Sequence, residues 1–143
     1  MDKGLRLLII ILSIILIAGI TIFLSRNFLS KIDIILSVET NKDSYKIGEL
    51  IEIKVSLKEA KIIFEGTPLA TIIEGKPIKG KDVAIQLLDP NGVTLFVDQG
   101  KTDKNGEAIF KVRIDNTWKT GIYTIHAVSS GKHEVKTFKI EKS

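Results

Sequence analysis

An uninterrupted apolar run near the N-terminus limits what this chain can fold into more than any other feature. From Leu7 to Leu24 no ionisable residue occurs, and only Ser13, Gly19 and Thr21 interrupt the aliphatic side chains. At about 1.5 Å per residue a helix of this length spans roughly 27 Å, close to the hydrocarbon thickness of a bilayer. Because the run is apolar on every face, we predict a transmembrane helix at 7–24 rather than a buried core helix.

A cleaved signal peptide is the main alternative for this run. Signal peptides have an apolar region of about 7–15 residues that ends in a small-residue cleavage site. Here the run is longer, and the chain leaves it through Phe23-Leu24-Ser25-Arg26-Asn27, without such a site. We therefore predict an uncleaved anchor, preceded by a short tail at 1–6 and followed by a juxtamembrane linker at 25–33.

The charges that flank the run are nearly balanced. Lys3 and Arg6 precede it, and Arg26 and Lys31 follow it, so the positive-inside rule alone does not orient the helix. The short N-terminal tail and the type of domain that follows favour an N-terminus inside the plasma membrane. The prediction is a single-pass protein whose domain is extracytoplasmic.

Beyond the linker the hydrophobic pattern changes to strict alternation, which is typical of half-buried strands. Further alternating segments are separated by turn signals, of which Asp89-Pro90-Asn91-Gly92 and Asp103-Lys104-Asn105-Gly106 are the strongest. Seven or more short strands at regular spacing predict an all-β sandwich of the immunoglobulin-like kind at 34–143. Its inward-facing residues include Ile51, Ile53, Val55 and Leu57, then Val83, Ile85 and Leu87, and later Tyr123, Ile125 and Ala127.

A series of motifs in this domain is similar to a known family. In order they are Tyr45-x-x-Gly48-Glu49-x-Ile51, Gly75-Lys76-Pro77-Ile78-Lys79-Gly80-x-x-Val83, Asp89-Pro90-Asn91-Gly92, Thr102-Asp103-x-x-Gly106-x-Ala108-x-Phe110 and Gly121-x-Tyr123-Thr124-Ile125-x-Ala127. Over about residues 36–140 this series resembles the second macroglobulin-type (MG2-like) domain of the α2-macroglobulin family and related bacterial and archaeal immunoglobulin-like surface modules. The resemblance implies a β-sandwich.

The resemblance does not carry the activity of that family to this chain. Macroglobulins trap proteases with many such domains, a bait region and often a thioester built on cysteine. This chain has room for one domain and has no cysteine, which also excludes disulfides, thiolate zinc sites and a cysteine nucleophile. A protease-inhibitor function is therefore not expected.

The chain departs from the family pattern by an insertion at 58–74. Two apolar segments within it flank Glu65-Gly66-Thr67-Pro68 and predict an extra hairpin. One interpretation is that this hairpin covers an open sheet edge and extends the core. The other is a contact surface for a partner or the membrane, since exposed apolar patches mark interfaces. The residues in question are Ile62, Ile63, Phe64, Ile72 and Ile73, together with Trp118, which otherwise caps one end of the core.

Other chemistry-bearing residues give no site in the sequence. His126 falls on the outward register of its strand and His133 lies beside a turn, so both are interpreted as solvated. Asp103, Asn105 and Glu107 have the oxygen spacing of a calcium loop but lack its later glutamate, so a turn is expected. We expect no catalytic residue, metal or cofactor.

The sequence therefore predicts a non-catalytic, membrane-anchored binding, adhesion or scaffold module. Its partners would be the lipid bilayer, through the helix, and an unidentified protein or cell-surface component. Basic and acidic residues are interspersed, so nucleic-acid binding is not expected. Two alternatives stay open: a pilin-like subunit processed after Gly4, and an accessory subunit of a membrane complex.

Overall fold

The chain divides into two compact units. The computed structural model describes residues 2–27, 31–63 and 66–142. The helix unit takes in Met1–Ile32 and Lys61–Ile73, and the sandwich unit takes in Asp33–Ala60 and Glu74–Ser143.

One helix, α1, runs over Lys3–Asn27. Its Lys3–Phe23 part is long and apolar enough to cross a membrane, and none of it is buried. This length and composition are shared by membrane-spanning helices and signal sequences. The hydroxyls of Ser13 and Thr21 donate to the carbonyls of Ile9 and Ile17, at 2.8 and 2.9 Å. These bonds satisfy the two hydroxyls within the helix itself.

The helix is longer than the apolar run that predicted it. It includes part of the predicted tail at 1–6, and its N-terminal turn is closed by Arg6 N donating to Asp2 O at 3.1 Å. At the other end it includes Ser25–Asn27 of the predicted linker. The difference arises because backbone hydrogen bonding defines a helix, and polar side chains at its ends do not interrupt that bonding.

The described residues after the helix form nine strands. They are β1 (Lys31–Thr40), β2 (Ser44–Lys46), β3 (Leu50–Ile63), β4 (Thr71–Pro77), β5 (Asp82–Leu88), β6 (Thr94–Lys101), β7 (Glu107–Arg113), β8 (Gly121–Ser129) and β9 (Lys132–Glu141). β1 starts at Lys31, within the predicted linker at 25–33, and the sandwich unit begins at Asp33.

One sheet is built around β3. Its neighbours are β1, β4 and β7, and β7 pairs with it in antiparallel fashion from Leu50↔Arg113 to Ser56↔Glu107. Leu57 marks the change of partner, because its N–H donates to Gly106 O and its carbonyl accepts from Ile78 N just after β4. The insertion predicted as a separate hairpin is thus the end of β3 together with β4.

The other sheet has the order β2-β9-β8-β5-β6. β2 pairs with β9 in parallel, whereas the remaining pairs are antiparallel. The order β9-β8-β5-β6 corresponds to the G-F-C-C′ order of variable-type immunoglobulin domains. No strand was predicted around Tyr45, because a three-residue strand that depends on a distant partner leaves no periodic signal.

The core of the sandwich unit follows the predicted alternation. On β3, Ile51, Ile53, Val55 and Leu57 are fully buried, and the residues between them are not. The inward-facing residues of the other strands are buried in the same way, among them Val83, Ile85, Leu87, Phe110, Tyr123, Ile125, Phe138 and Ile140. The predicted all-β sandwich preceded by one helix is confirmed.

Candidate contact surfaces

The hairpin residues predicted to make contacts differ in exposure. Ile72 and Ile73 are 63% and 47% exposed, whereas Ile62 and Ile63 are half-buried. Phe64 lies outside the described residues. Leu69, at 71% exposure, is the most exposed of the apolar residues here, although its place in a turn hid it from a strand-based prediction.

A defined turn holds the described part of this hairpin connection. Ala70 N donates to Thr67 O at 3.1 Å, and Leu69 N donates to Thr67 Oγ1 at 3.3 Å. The hydroxyl of Thr71 donates back to Leu69 O at 3.1 Å. The backbone polar groups are therefore engaged locally, while the side chains of Leu69 and Ile72 face outward. This is an ordered apolar surface within the helix unit.

Trp118 belongs to the core of the sandwich unit. Its ring stacks on Tyr123, with centroids 5.6 Å apart, and Tyr123 stacks in turn on Phe138 at 5.4 Å. The Tyr123 hydroxyl donates to Lys119 O at 2.7 Å, a bond like the tyrosine corner of immunoglobulin-like sandwiches. Burial raises the pKa of Tyr123, although the bond to Lys119 partly opposes the shift. Trp118, half-buried, thus caps the aromatic stack.

The outer face of the five-stranded sheet carries apolar residues that the sequence did not single out. Ile122 and Val128 on β8, Val135 on β9 and Val97 on β6 are about half or more exposed. The strand register puts Val128 and Val135 diagonally across the β8–β9 hairpin, whereas Ile122 lies toward the other end of β8. The alternation of those strands contained the signal, because these four outward positions hold β-branched aliphatic residues.

His126 and His133 meet on this same face. His126 Nδ1 and His133 Nε2 are 2.8 Å apart, and the two rings are within 4° of parallel. The sequence placed His126 on the outward register, as found, but treated the two histidines separately. Their meeting depends on the β8–β9 register, which pairs His126 with Val135 and Val128 with His133.

The segment with calcium-like spacing forms a turn, as predicted. Asp103 Oδ1 accepts from Asn105 N at 2.8 Å and from Glu107 N at 3.0 Å. The carboxylate is therefore used to close the turn. Among the residues that the structure describes, no three His, Cys, Asp or Glu side chains converge in a way that would hold a metal ion.

Comparison with known proteins finds similar structures but no matching family. No protein-family model and no curated protein matches the chain. The CARDB domain of the PF1109 protein from Pyrococcus furiosus, solved in complex with di-metal ions, is similar over 82% of this chain and 97% of that domain. Its sequence identity is 13% and its TM-score 0.47.

Two β-glucosidases contain a similar region. The enzyme from Listeria innocua in complex with isofagomine gives 12% identity and a TM-score of 0.44, over 80% of this chain. EmGH1 from Erythrobacter marinus gives 9% identity and a TM-score of 0.44, over 78%. The match covers 16% of each glucosidase. Likeness at this level carries no conclusion about ligand or activity, and the macroglobulin-type resemblance stays a prediction.

Proposed function

We propose that this protein is a single-pass membrane protein that presents a non-catalytic β-sandwich as a binding, adhesion or scaffold module. The observation that carries the proposal is the Lys3–Phe23 helix, which has no buried part and no ionisable residue after Arg6. A helix that is apolar all round needs lipid or other helices around it. The buried core of the sandwich unit is made of residues from its own strands, which supports a presenting role.

The proposed orientation puts the N-terminus inside the plasma membrane and the sandwich outside. Lys3 and Arg6 lie at the start of α1, and Arg26 lies near its end. The sandwich is a type of domain common on cell surfaces.

The hairpin formed by β3 and β4 is proposed as a contact surface for the bilayer or a membrane-proximal partner. β1 and β3 run antiparallel, because Asn41 N donates to Glu52 O and Lys54 pairs with Glu39. The end of β3 and the start of β1 both belong to the helix unit, which also contains α1.

The macroglobulin-type relationship is proposed for the sandwich alone. The turn and core motifs between 36 and 140 support it. One of these motifs, Asp89-Pro90-Asn91-Gly92, forms a turn in which Asp89 Oδ1 accepts hydrogen bonds from Asn91 N and Val93 N. An MG2-like domain standing by itself would act through its strand edges and outer faces.

A pilin-like subunit is the second candidate, favoured by the order of an apolar helix followed by a β-sandwich and by Lys3-Gly4-Leu5 at the helix start. Arg6 fits such a processing site poorly. An accessory subunit of a membrane complex would use the same helix for packing against other helices.

Alkaline carbonate extraction of membranes, followed by the intact mass of the protein, tests the proposal. The expected result is a membrane-retained protein with the mass of the complete sequence. A carbonate-soluble protein that lacks the apolar run would show a cleaved signal peptide, and a mature protein beginning at Leu5 would show a pilin. Protease added to intact cells should digest the sandwich; a protected sandwich would contradict the proposed orientation.

A further inference from the structure

Two imidazoles lie within hydrogen-bonding distance on the outer face of the five-stranded sheet. His126 is in the middle of β8, and His133 is the second residue of β9. Their nitrogens Nδ1 and Nε2 are 2.8 Å apart. In neutral form each imidazole has one nitrogen that accepts, so a single proton joins the pair. The same nitrogen can instead bind a metal ion.

The backbone fixes the position of this pair. β8 and β9 are joined by Ser130 and Gly131, whose φ angles of 51° and 73° are both positive, as in the type I′ turn of a two-residue hairpin. Such a turn sets the register, and the ladder continues from Ser129↔Lys132 to Gly121↔Ile140. β8 is also paired with β5 on its other side. The two Cα positions are therefore held in a sheet interior rather than in a loop.

The surroundings suit a cation. The residue opposite His126 on β9 is Val135, and the residue opposite it on β5 is Gln86. The residue opposite His133 is Val128. None of these neighbours carries a positive charge that would repel a metal ion, and Gln86 offers a side-chain oxygen.

The two nitrogens are close enough to bind one ion. With metal–nitrogen bonds of about 2.0–2.1 Å, two ligands of one ion lie about 2.9–3.3 Å apart, depending on the angle between them. Imidazole nitrogen suits Cu²⁺, Ni²⁺ and Zn²⁺. In the hydrogen-bonded pair the two nitrogens face each other, so a metal ion takes the place of the shared proton when the rings rotate about their Cβ–Cγ bonds, a torsion with broad preferences.

From this geometry we propose that His126 and His133 form a two-histidine site for a divalent transition metal that prefers imidazole ligands, such as Ni²⁺. The two imidazoles supply adjacent coordination positions. Water, or a donor atom from a second molecule, completes the coordination. The site lies on the exposed sheet face and does not depend on membrane anchoring, so it stands apart from the proposed function.

Isothermal titration of the untagged full-length chain in detergent micelles with NiCl₂ tests the site. We expect one Ni²⁺ per chain, and at least a tenfold weaker affinity in each of the variants His126→Ala and His133→Ala. The matched control is Thr124→Ala, which removes an outward side chain two positions from His126 on the same strand and should leave the affinity unchanged. Circular dichroism of each variant checks that the sheet is intact.

Three results would overturn the site. One is no binding at millimolar Ni²⁺, another is binding that survives both histidine substitutions, and the third is an affinity that depends on only one histidine. The last of these would indicate a single imidazole acting alone. Mg²⁺ serves as a further check, because a hard cation prefers oxygen ligands. Equal affinity for Mg²⁺ and Ni²⁺ would likewise contradict a nitrogen site.

Discussion

Isoleucines in the first part of β3 are buried, whereas those in the hairpin formed by the end of β3 and by β4 are exposed or half-buried. From Ile51 to Lys58, in the sandwich unit, apolar and polar residues alternate, and Ile53 is fully buried. After Lys61, in the helix unit, apolar residues stand next to one another in Ile62-Ile63 and again in Ile72-Ile73 on β4. Ile72 is 63% exposed.

This difference shows that spacing, rather than hydrophobicity, decides whether an isoleucine joins the core. An alternating strand puts all its apolar side chains on one face, and a second sheet can cover that face. Consecutive apolar residues point to both faces, and one facing sheet cannot cover both. The apolar surface left on the hairpin is what makes it a candidate for contact with lipid or a partner.

Truncation of a core isoleucine should give the largest effect. We expect Ile53→Ala to lower the free energy of unfolding of the sandwich by about 4 kcal/mol, because Ile→Ala at buried sites costs about 2–5 kcal/mol. Urea unfolding in detergent, followed by circular dichroism, measures it. The matched variant Ile72→Ala should change stability by less than about 0.5 kcal/mol. Equal costs at the two positions would contradict the distinction between the alternating part of β3 and the exposed hairpin.

Substitution of Gly106, beside the point where β3 changes partner, should have the next largest effect on stability. Gly106 has φ +73°, and a Cβ there would lie 2.5 Å from Leu57 O. We expect Gly106→Ala to cost about 3 kcal/mol, from overpacking together with a left-handed conformation. Gly92, at φ +80° with open space around it, is the control, and Gly92→Ala should cost about 1 kcal/mol. The same urea unfolding experiment compares the two variants. Similar losses in the free energy of unfolding would show that the backbone is not closely packed around Gly106 and Leu57.

Trp118 should show an intermediate effect if it caps the core. Fully buried aromatic residues cost about 3–5 kcal/mol when truncated to alanine. Since Trp118 is half-buried, we expect Trp118→Ala to cost about 2 kcal/mol in urea unfolding. Trp118→Phe, which keeps a ring against Tyr123, should recover more than half of this. A Trp118→Ala variant with unchanged stability would instead support a role in partner contact alone.

The exposed hairpin should show the smallest effect on folding and a separate effect on binding. We expect the double variant Ile72→Ser and Ile73→Ser to change the free energy of unfolding by less than about 0.5 kcal/mol. Its effect should appear in pull-down from mild detergent or in quenching of a label at the hairpin by lipid. A large loss of stability, with partners unchanged, would show that the hairpin packs against the core and does not bind a partner.

The sequence was sufficient for the parts of the fold that local pattern decides. Alternation at Ile51, Ile53, Val55 and Leu57 predicted both the strand and its buried face, and Asp-rich turn motifs predicted where strands end. The bounds of the helix were less well predicted, because apolar composition identifies the part that fits lipid and not the last hydrogen-bonded turn. β2 was missed, since three residues pair with β9 only through the tertiary structure.

The contact between His126 and His133 could not be predicted from sequence for the same reason as β2. The sequence placed His133 beside a turn, and the two-residue turn at Ser130-Gly131 fixes the register of β8 and β9. The meeting of His126 with His133 follows only when that register is carried along both strands. Side chains on one strand gave no sign of it, because the pair is formed diagonally across two strands.

Depth measurement of two labels in nanodiscs tests the central claim most directly. The chain has no cysteine, so Ile14→Cys in the helix and Thr137→Cys on the outer face of β9 each give a single site for a spin label. The label at 14 should be relaxed by oxygen, which concentrates in lipid, and protected from water-soluble chromium oxalate, whereas the label at 137 should show the reverse. A label at 14 that chromium oxalate reaches as readily as it reaches 137 would contradict a membrane-spanning helix with a water-exposed sandwich.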